Sequence, residues 1–211
     1  MKQYPDNYFD LACVDPPYGL DLANMNKGAG KSKKASKIIN RIWIPKNWDK
    51  QTPTKEYFNE LFRVSKYQII WGGNYFELPP CKNYIIWDKE IPNGLSFADC
   101  EMAWTSFDRA PRIFRYSAYL DKVNKFHPTQ KPKALYKFCY EFAKIENGAK
   151  ILDTHLGSGN SRIVAKRMNF NFVGFEIDKE YFDAANENYE KEINGIIKLD
   201  NQKIVTQLSL F

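Results

Sequence analysis

The chain has 211 residues, 44% of them hydrophobic and 16% aromatic, which is enough apolar material for one buried core and excludes a disordered chain. No apolar run approaches the ~20 residues that cross a bilayer, and the opening Met1-Lys2-Gln3-Tyr4-Pro5-Asp6 holds no apolar signal core, so a soluble cytoplasmic protein without a membrane partner is expected. Four scattered cysteines (Cys13, Cys81, Cys100, Cys139) form no C-x-x-C pair, which argues against a zinc site and a disulfide framework, while the net charge of +6 points toward a polyanionic partner.

Tyr8 to Val14 (YFDLACV) reads as a buried strand ending at Asp15, because Pro16 and Pro17 cannot donate to a sheet ladder. Lys27 to Lys50 then holds eight basic residues against the single acid Asp49, with Gly28 and Gly30 among them. This is the composition of a basic loop whose field attracts nucleic acid, with Lys31, Lys33, Lys34 and Arg41 as candidate phosphate contacts. Pro53 to Ser65 has helical spacing, with Tyr57, Phe58, Leu61 and Phe62 on one side and Thr52 or Thr54 as cap. Tyr67 to Trp71, Tyr84 to Trp87 and Cys100 to Phe107 are short apolar runs divided by Gly, Pro and Asn, the pattern of strands. Residues 108 to 125 are basic and aromatic (Arg109, Arg112, Phe114, Arg115, Tyr116, Tyr119, Lys122, Lys125), suited either to phosphate contact and stacking or to an ordinary surface loop. Lys133 to Ile145 reads as a helix closed by Asn147-Gly148. A strand from Lys150 to Asp153 follows, then Gly157-Ser158-Gly159, a helix from Ser161 to Met168, and a strand from Phe172 to Phe175 ending at Glu176. Strands alternating with helices predict a single α/β domain over 1–211, a mostly parallel twisted sheet with helices on both faces and ligands beyond the carboxyl ends of its strands. Trp43, Trp71, Trp87 and Trp104 are expected in the core, and Trp48, beside the basic loop, is a candidate to face DNA.

Asp153 to Glu176 is a strand, a Gly-x-Gly turn, a helix and a second strand ending in an acid, which suits a nucleotide or S-adenosylmethionine. Gly157 and Gly159 let the backbone approach a ligand closely, and Glu176 can accept both hydroxyls of a ribose. Asp15-Pro16-Pro17-Tyr18 separates those options, because it matches the (D/N/S)PP(Y/F/W) pattern of amino-methyltransferases at a strand end. An amine conjugated to an aromatic base is a poor nucleophile. The carboxylate of Asp15 and the carbonyl of Pro16, held by two prolines, can accept its N–H groups and make the nitrogen lone pair available, with Tyr18 offering a stacking face.

Further along, Phe126-His127-Pro128-Thr129-Gln130-Lys131-Pro132 resembles the HPTQKP element of beta-group S-adenosylmethionine-dependent DNA amino-methyltransferases. Asp153-Thr154-His155-Leu156-Gly157-Ser158-Gly159-Asn160 resembles that family's DPFxGSGT loop, and Gly174-Phe175-Glu176-Ile177-Asp178 with Tyr181 resembles its GxExxxxY segment. The order, with DPPY first and the GSG loop last, is that group's permuted order. The resemblance covers nearly the whole chain and implies a Rossmann-like methyltransferase fold with S-adenosylmethionine as cofactor. It implies that Asp15, Pro16, Pro17 and Tyr18 are catalytic and that Lys131, Pro132, Asp153, Leu156, Gly157, Ser158, Gly159 and Glu176 form the cofactor site. The implied activity is site-specific methylation of adenine N6 in a flipped base of DNA, of the kind found in restriction-modification, since Asp opens the tetrapeptide where cytosine-N4 relatives more often have Ser. The alternatives are cytosine N4, or a weakly active or inactive DNA-binding module of the same fold tethered to the sliding clamp.

By the same resemblance residues 108 to 125 stand where the family has its target-recognition region, and His127 belongs to a cofactor-side loop. His155 stands where the family usually has Phe and is expected to line the pocket without holding a metal. Family members also carry a strand with an acidic residue ahead of DPPY that contacts the cofactor's adenine, whereas here little precedes Tyr8. The run Gly195 to Val205, containing Asp200, is a candidate to take that place. The terminal Gln207-Leu208-Ser209-Leu210-Phe211 resembles the QLxLF peptide that binds the sliding clamp, and a homodimer is implied by analogy alone.

Overall fold

An almost unbroken apolar run makes β1 (Phe9–Val14) a strand that can be buried on both faces. The computed structural model describes residues 1–21, 46, 48–92, 98–118, 120, 125–199 and 203–206. After β1 come α1 (Lys55–Val64), β2 (Ser65–Trp71), β3 (Asn83–Asp88), β4 (Cys100–Thr105) and β5 (Arg112–Arg115). The second half contributes α2 (Lys133–Ala143), β6 (Lys150–Asp153), α3 (Asn160–Arg167), β7 (Asn171–Gly174), α4 (Lys179–Tyr189) and a hairpin of β8 (Ile196–Leu199) and β9 (Lys203–Thr206). The first seven strands form one sheet in the order β5-β3-β4-β2-β1-β6-β7. Within it β4 alone runs against the others, so the sheet is mostly parallel, as expected for a Rossmann-like fold.

Side chains alternate across this sheet and build a core on each face. Leu11, Cys13, Ile69, Trp71 and Ile151 point to the side covered by α2 and α3, where Leu135, Tyr136, Cys139, Tyr140 and Val164 meet them. Ala12, Val14, Ile70 and Leu152 point to the opposite side, where Phe58, Leu61 and Val64 of α1 close the second core. Asp10, the one acid in β1, ties the register: its carboxylate pairs with Lys66 at 2.7 Å and accepts the Lys150 backbone N–H at 2.8 Å. Trp71, Trp87 and Trp104 are buried, as the sequence predicts. Among the described residues no helix is long and apolar enough to cross a membrane.

Four local features differ from the sequence reading. Thr54 occupies the cap position of α1, but its hydroxyl makes no capping hydrogen bond. The helix α2 ends at Lys144, itself left-handed with φ of 53°, and Gly148 serves a later turn. Residues 108–118 contain a strand, β5, parallel to β3; its Phe114 packs 5.0 Å from Phe138 of α2, and Arg109 lies over Phe107 and Phe142. Tyr116 stacks on Phe114 at 5.8 Å, and Tyr119 lies outside the described residues. Finally, β8 and β9 pair with each other and add no strand to the main sheet, where β7 is the edge among the described residues; Asp200 lies outside them.

Candidate active site

Because β1, β6 and β7 run in parallel, their carboxyl ends deliver Asp15, the Thr154–Gly159 loop and Glu176 to the same edge of the sheet. They open onto a cavity of about 640 Å³, within the range of small-molecule sites. Of the residues expected in a site, Asp15, Pro17, Lys131, Leu156, Gly157, Ser158 and Glu176 line it. Pro16 is buried beneath and Tyr18 stands beside it. Asp153, Pro132 and Gly159 lie behind the wall: Pro132 and Gly159 take the cap positions of α2 and α3, and the Asp153 carboxylate is turned inward. Lys31, Lys33, Lys34, Arg41 and the tail 207–211 lie outside the described residues.

At one end of the cavity, Glu176 accepts the backbone N–H of Gly157 at 2.8 Å and that of Asp178 at 2.9 Å, one on each oxygen. A carboxylate oxygen has two lone pairs, so each retains an acceptor position. Beneath, Asp153 accepts the Ser161 hydroxyl at 2.6 Å and the His155 backbone N–H at 3.1 Å, which braces the loop against α3. Burial pushes the Asp153 carboxyl up to about 7 in spite of those donors. Burial also lowers His155 to about 4, so its ring is neutral at physiological pH. A line of polar contacts joins Tyr57, Thr154 and His155, with 2.6 Å between the two hydroxyls and 3.0 Å from Thr154 to Nδ1.

At the other end a charge cluster surrounds Asp15. Lys131, with its side chain 2% exposed, places its ammonium 2.6 Å from Asp15 Oδ2, 3.0 Å from Glu101 and 3.2 Å from the Tyr18 hydroxyl, so each of its three protons has an acceptor. Tyr18 donates to Asp15 Oδ1 at 2.7 Å, and Lys89 pairs with the remaining oxygen of Glu101 at 2.6 Å. Burial and the charge of Glu101 raise the Asp15 carboxyl, against the pull of Lys131. Glu101 is raised by burial too, but Lys131 and Lys89 outweigh it and hold the group down to about 2. Lys131 stays protonated because Asp15 and Glu101 overcome its burial. Sequence reasoning missed Glu101 and Lys89 and assigned Lys131 to the cofactor alone. No signal in the sequence marks them: it is the reversed direction of β4, seen only in the fold, that puts its first residues beside the carboxyl ends of its neighbours.

Tyr18 is less free than the sequence suggests. Its ring stacks on Tyr75 at 4.9 Å and 15°, and Gly72 (φ 71°) approaches so closely that an added Cβ would fall 2.1 Å from the ring. The loop carrying Lys131 is braced in turn: Gln130 accepts the Phe126 N–H at 3.1 Å, and Asn160 donates to the Lys131 carbonyl at 2.8 Å. His127 sits between Trp48 at 5.3 Å and Tyr181 at 4.3 Å, so Trp48 packs into the cavity wall. Lys46 pairs with Asp178 at 2.8 Å and Glu180 at 2.6 Å beside the same wall.

A family model described as DNA methylase, N6_N4_Mtase, matches residues 21–187. The type II methyltransferase M.HpaI of Haemophilus parainfluenzae is 38% identical over 243 aligned positions, which cover 96% of this chain and 74% of that protein. The type II methyltransferase M2.DpnII of Streptococcus pneumoniae is 29% identical, over 78% of this chain and 56% of its own length. Among solved structures, the M1.HpyAVI–SAM complex matches with a TM-score of 0.54 at 20% identity, covering 89% of this chain and 90% of that one. PvuII DNA methyltransferase (cytosine-N4-specific) matches with 0.56 at 14% identity, covering 96% and 83%. These likenesses agree with the fold described above.

Proposed function

The chain belongs to the DNA methylase family of the N6_N4_Mtase model, and on that premise we propose that it transfers a methyl group from S-adenosylmethionine to the N6 amino group of an adenine flipped out of DNA. One observation carries the reading: Asp15 stands at the rim of the same 640 Å³ cavity that Gly157, Ser158 and Glu176 line, so a nucleoside cofactor and an acceptor for an amine share one space. The residues present fit such a cofactor. Glu176 keeps an acceptor position on each oxygen for ribose hydroxyls, and Gly157 offers backbone without a Cβ. When bound, the cofactor supplies an electrophilic methyl on a sulfonium.

The protein's own work is placement and charge. Asp15 accepts an N–H of the entering amine, which localises the nitrogen lone pair, while Tyr18 and Lys131 fix the direction of the carboxylate. Asp as the first residue of the tetrapeptide favours adenine over cytosine. The relatedness to M.HpaI supports a role alongside a restriction enzyme, and the basic residues Lys31, Lys33, Lys34 and Arg41 would hold the DNA backbone. Incubation with labelled S-adenosylmethionine and mixed-sequence DNA, followed by nucleoside digestion, tests the reading. Label in N6-methyladenine is expected. Label in N4-methylcytosine overturns the choice of base, and unlabelled DNA overturns the activity.

A further inference from the structure

We infer that Glu101 is a positioning residue for the transfer, one that neutralises Lys131 so that Asp15 is the charge felt by the target amine; this rests on the methyl-transfer reading above. During the reaction the carbon–sulfur bond breaks and a nitrogen–carbon bond forms. The sulfur leaves as a neutral thioether, the positive charge moves to the nitrogen, and the extra proton then departs through the Asp15 carboxylate to solvent. A positive charge growing beside Asp15 is favoured by that carboxylate and opposed by the Lys131 ammonium, only 2.6 Å from it. Lys131 cannot relieve the conflict by turning to water, since its side chain is 2% exposed. Glu101 relieves it instead, at 3.0 Å, and Lys89 fixes Glu101 from the far side at 2.6 Å.

The cluster therefore balances two carboxylates against two ammoniums, contributed by the end of β1, the start of β4, the residue after β3 and the loop before α2, with the Tyr18 hydroxyl between them. Replacing Glu101 with glutamine leaves it one positive charge in excess. Replacing Lys131 with methionine leaves one negative charge in excess, and two carboxylates facing each other. Making both changes restores neutrality.

Steady-state kinetics of E101Q, K131M and the double variant, each checked by thermal melting, decide the matter. E101Q is expected to lose about tenfold to a hundredfold in kcat, less than the roughly hundredfold to thousandfold lost with a donor that touches the reacting atoms because Glu101 acts through Lys131, with KM for DNA and cofactor within about twofold. K131M is expected to move the acid limb of its kcat profile to higher pH. The double variant is expected to turn over faster than E101Q and to bring the limb back. An unchanged kcat in E101Q, or a double variant as slow as the product of the two single losses, overturns the inference. If E101Q does not fold, K131M decides alone, and an unmoved limb overturns it. A wild type that transfers no methyl removes the reading and the inference together, whereas a wild type that is active but matched by E101Q removes only the inference.

Discussion

Asp15 takes its orientation from one near and one distant donor in the chain, Tyr18 three residues on and Lys131 from the loop before α2. The sequence offers Tyr18 as a stacking face and not as this donor; what turns its hydroxyl to Asp15 is the packing of its ring against Tyr75 and Gly72. The contact of Lys131 is equally hidden, because a lysine in a turn-forming stretch carries no sign of where its ammonium ends, and Glu101 is hidden for the same reason within an ordinary strand. Gly72 shows how tightly this corner is closed: its φ of 71° and the 2.1 Å approach of a built Cβ to the Tyr18 ring both exclude a side chain. Gly72→Ala should cost about 1–3 kcal/mol from the left-handed backbone alone. It should also displace Tyr18 from Asp15, so methyl transfer should drop about tenfold while cofactor binding holds. Urea denaturation and single-turnover rates check the two halves. A variant as stable and as fast as the wild type would show that Tyr18 does not need this packing.

The unit β6, loop and α3 was readable as an element because three signals coincide: a short apolar run, a Gly-x-Gly turn and an acid at the end of the next strand. β5 was not, since Arg112-Ile113-Phe114-Arg115 shows two apolar residues side by side rather than in alternation, within a basic stretch. α4 was also missed, although Asp178 accepts from the N–H groups of Glu180 and Tyr181 as a cap and so marks the start. The ionisation of the loop's support gives a test at this scale. Asp153 holds its proton up to about 7 in the folded protein against 3.8 as its ordinary value, so the folded state binds more protons between those limits. Its contribution to stability is full below about 4 and is lost as pH rises through 7. His155 works the other way: lowered to about 4 from 6.5, it withdraws stability as pH falls through that window. Asp153→Asn should therefore gain on the wild type as pH rises from 4 to 8, as followed by urea midpoints. Parallel profiles would mean that the carboxyl is already ionised throughout. Ser161→Ala, which takes the 2.6 Å donor from this buried group, should cost about 1–3 kcal/mol near neutral pH.

On the scale of the whole molecule, the parallel sheet converts distant sequence positions into one site. Asp15, Glu101, Lys131 and Glu176 come from four parts of the chain: β1 and β7 end at the same edge, β4 begins there because it runs backwards, and Lys131 reaches it from the loop before α2. The general plan was readable from the alternation of strands and helices; the reversed strand, which delivers Glu101, was not. Charge also acts at this scale, since the net +6 is concentrated in residues 27–50. Reversing Lys31, Lys33 and Lys34 to Glu should weaken DNA binding and flatten its dependence on salt by about 0.7–0.9 log unit for each phosphate that is no longer neutralised. Unchanged affinity and slope would exclude this segment from the interface. The most direct test of the account is the single-turnover methylation rate of Asp15→Asn, with cofactor affinity measured calorimetrically on the same preparation. A rate at least about a hundredfold below wild type, with cofactor affinity within about twofold, is predicted; a rate equal to wild type would contradict the role of Asp15.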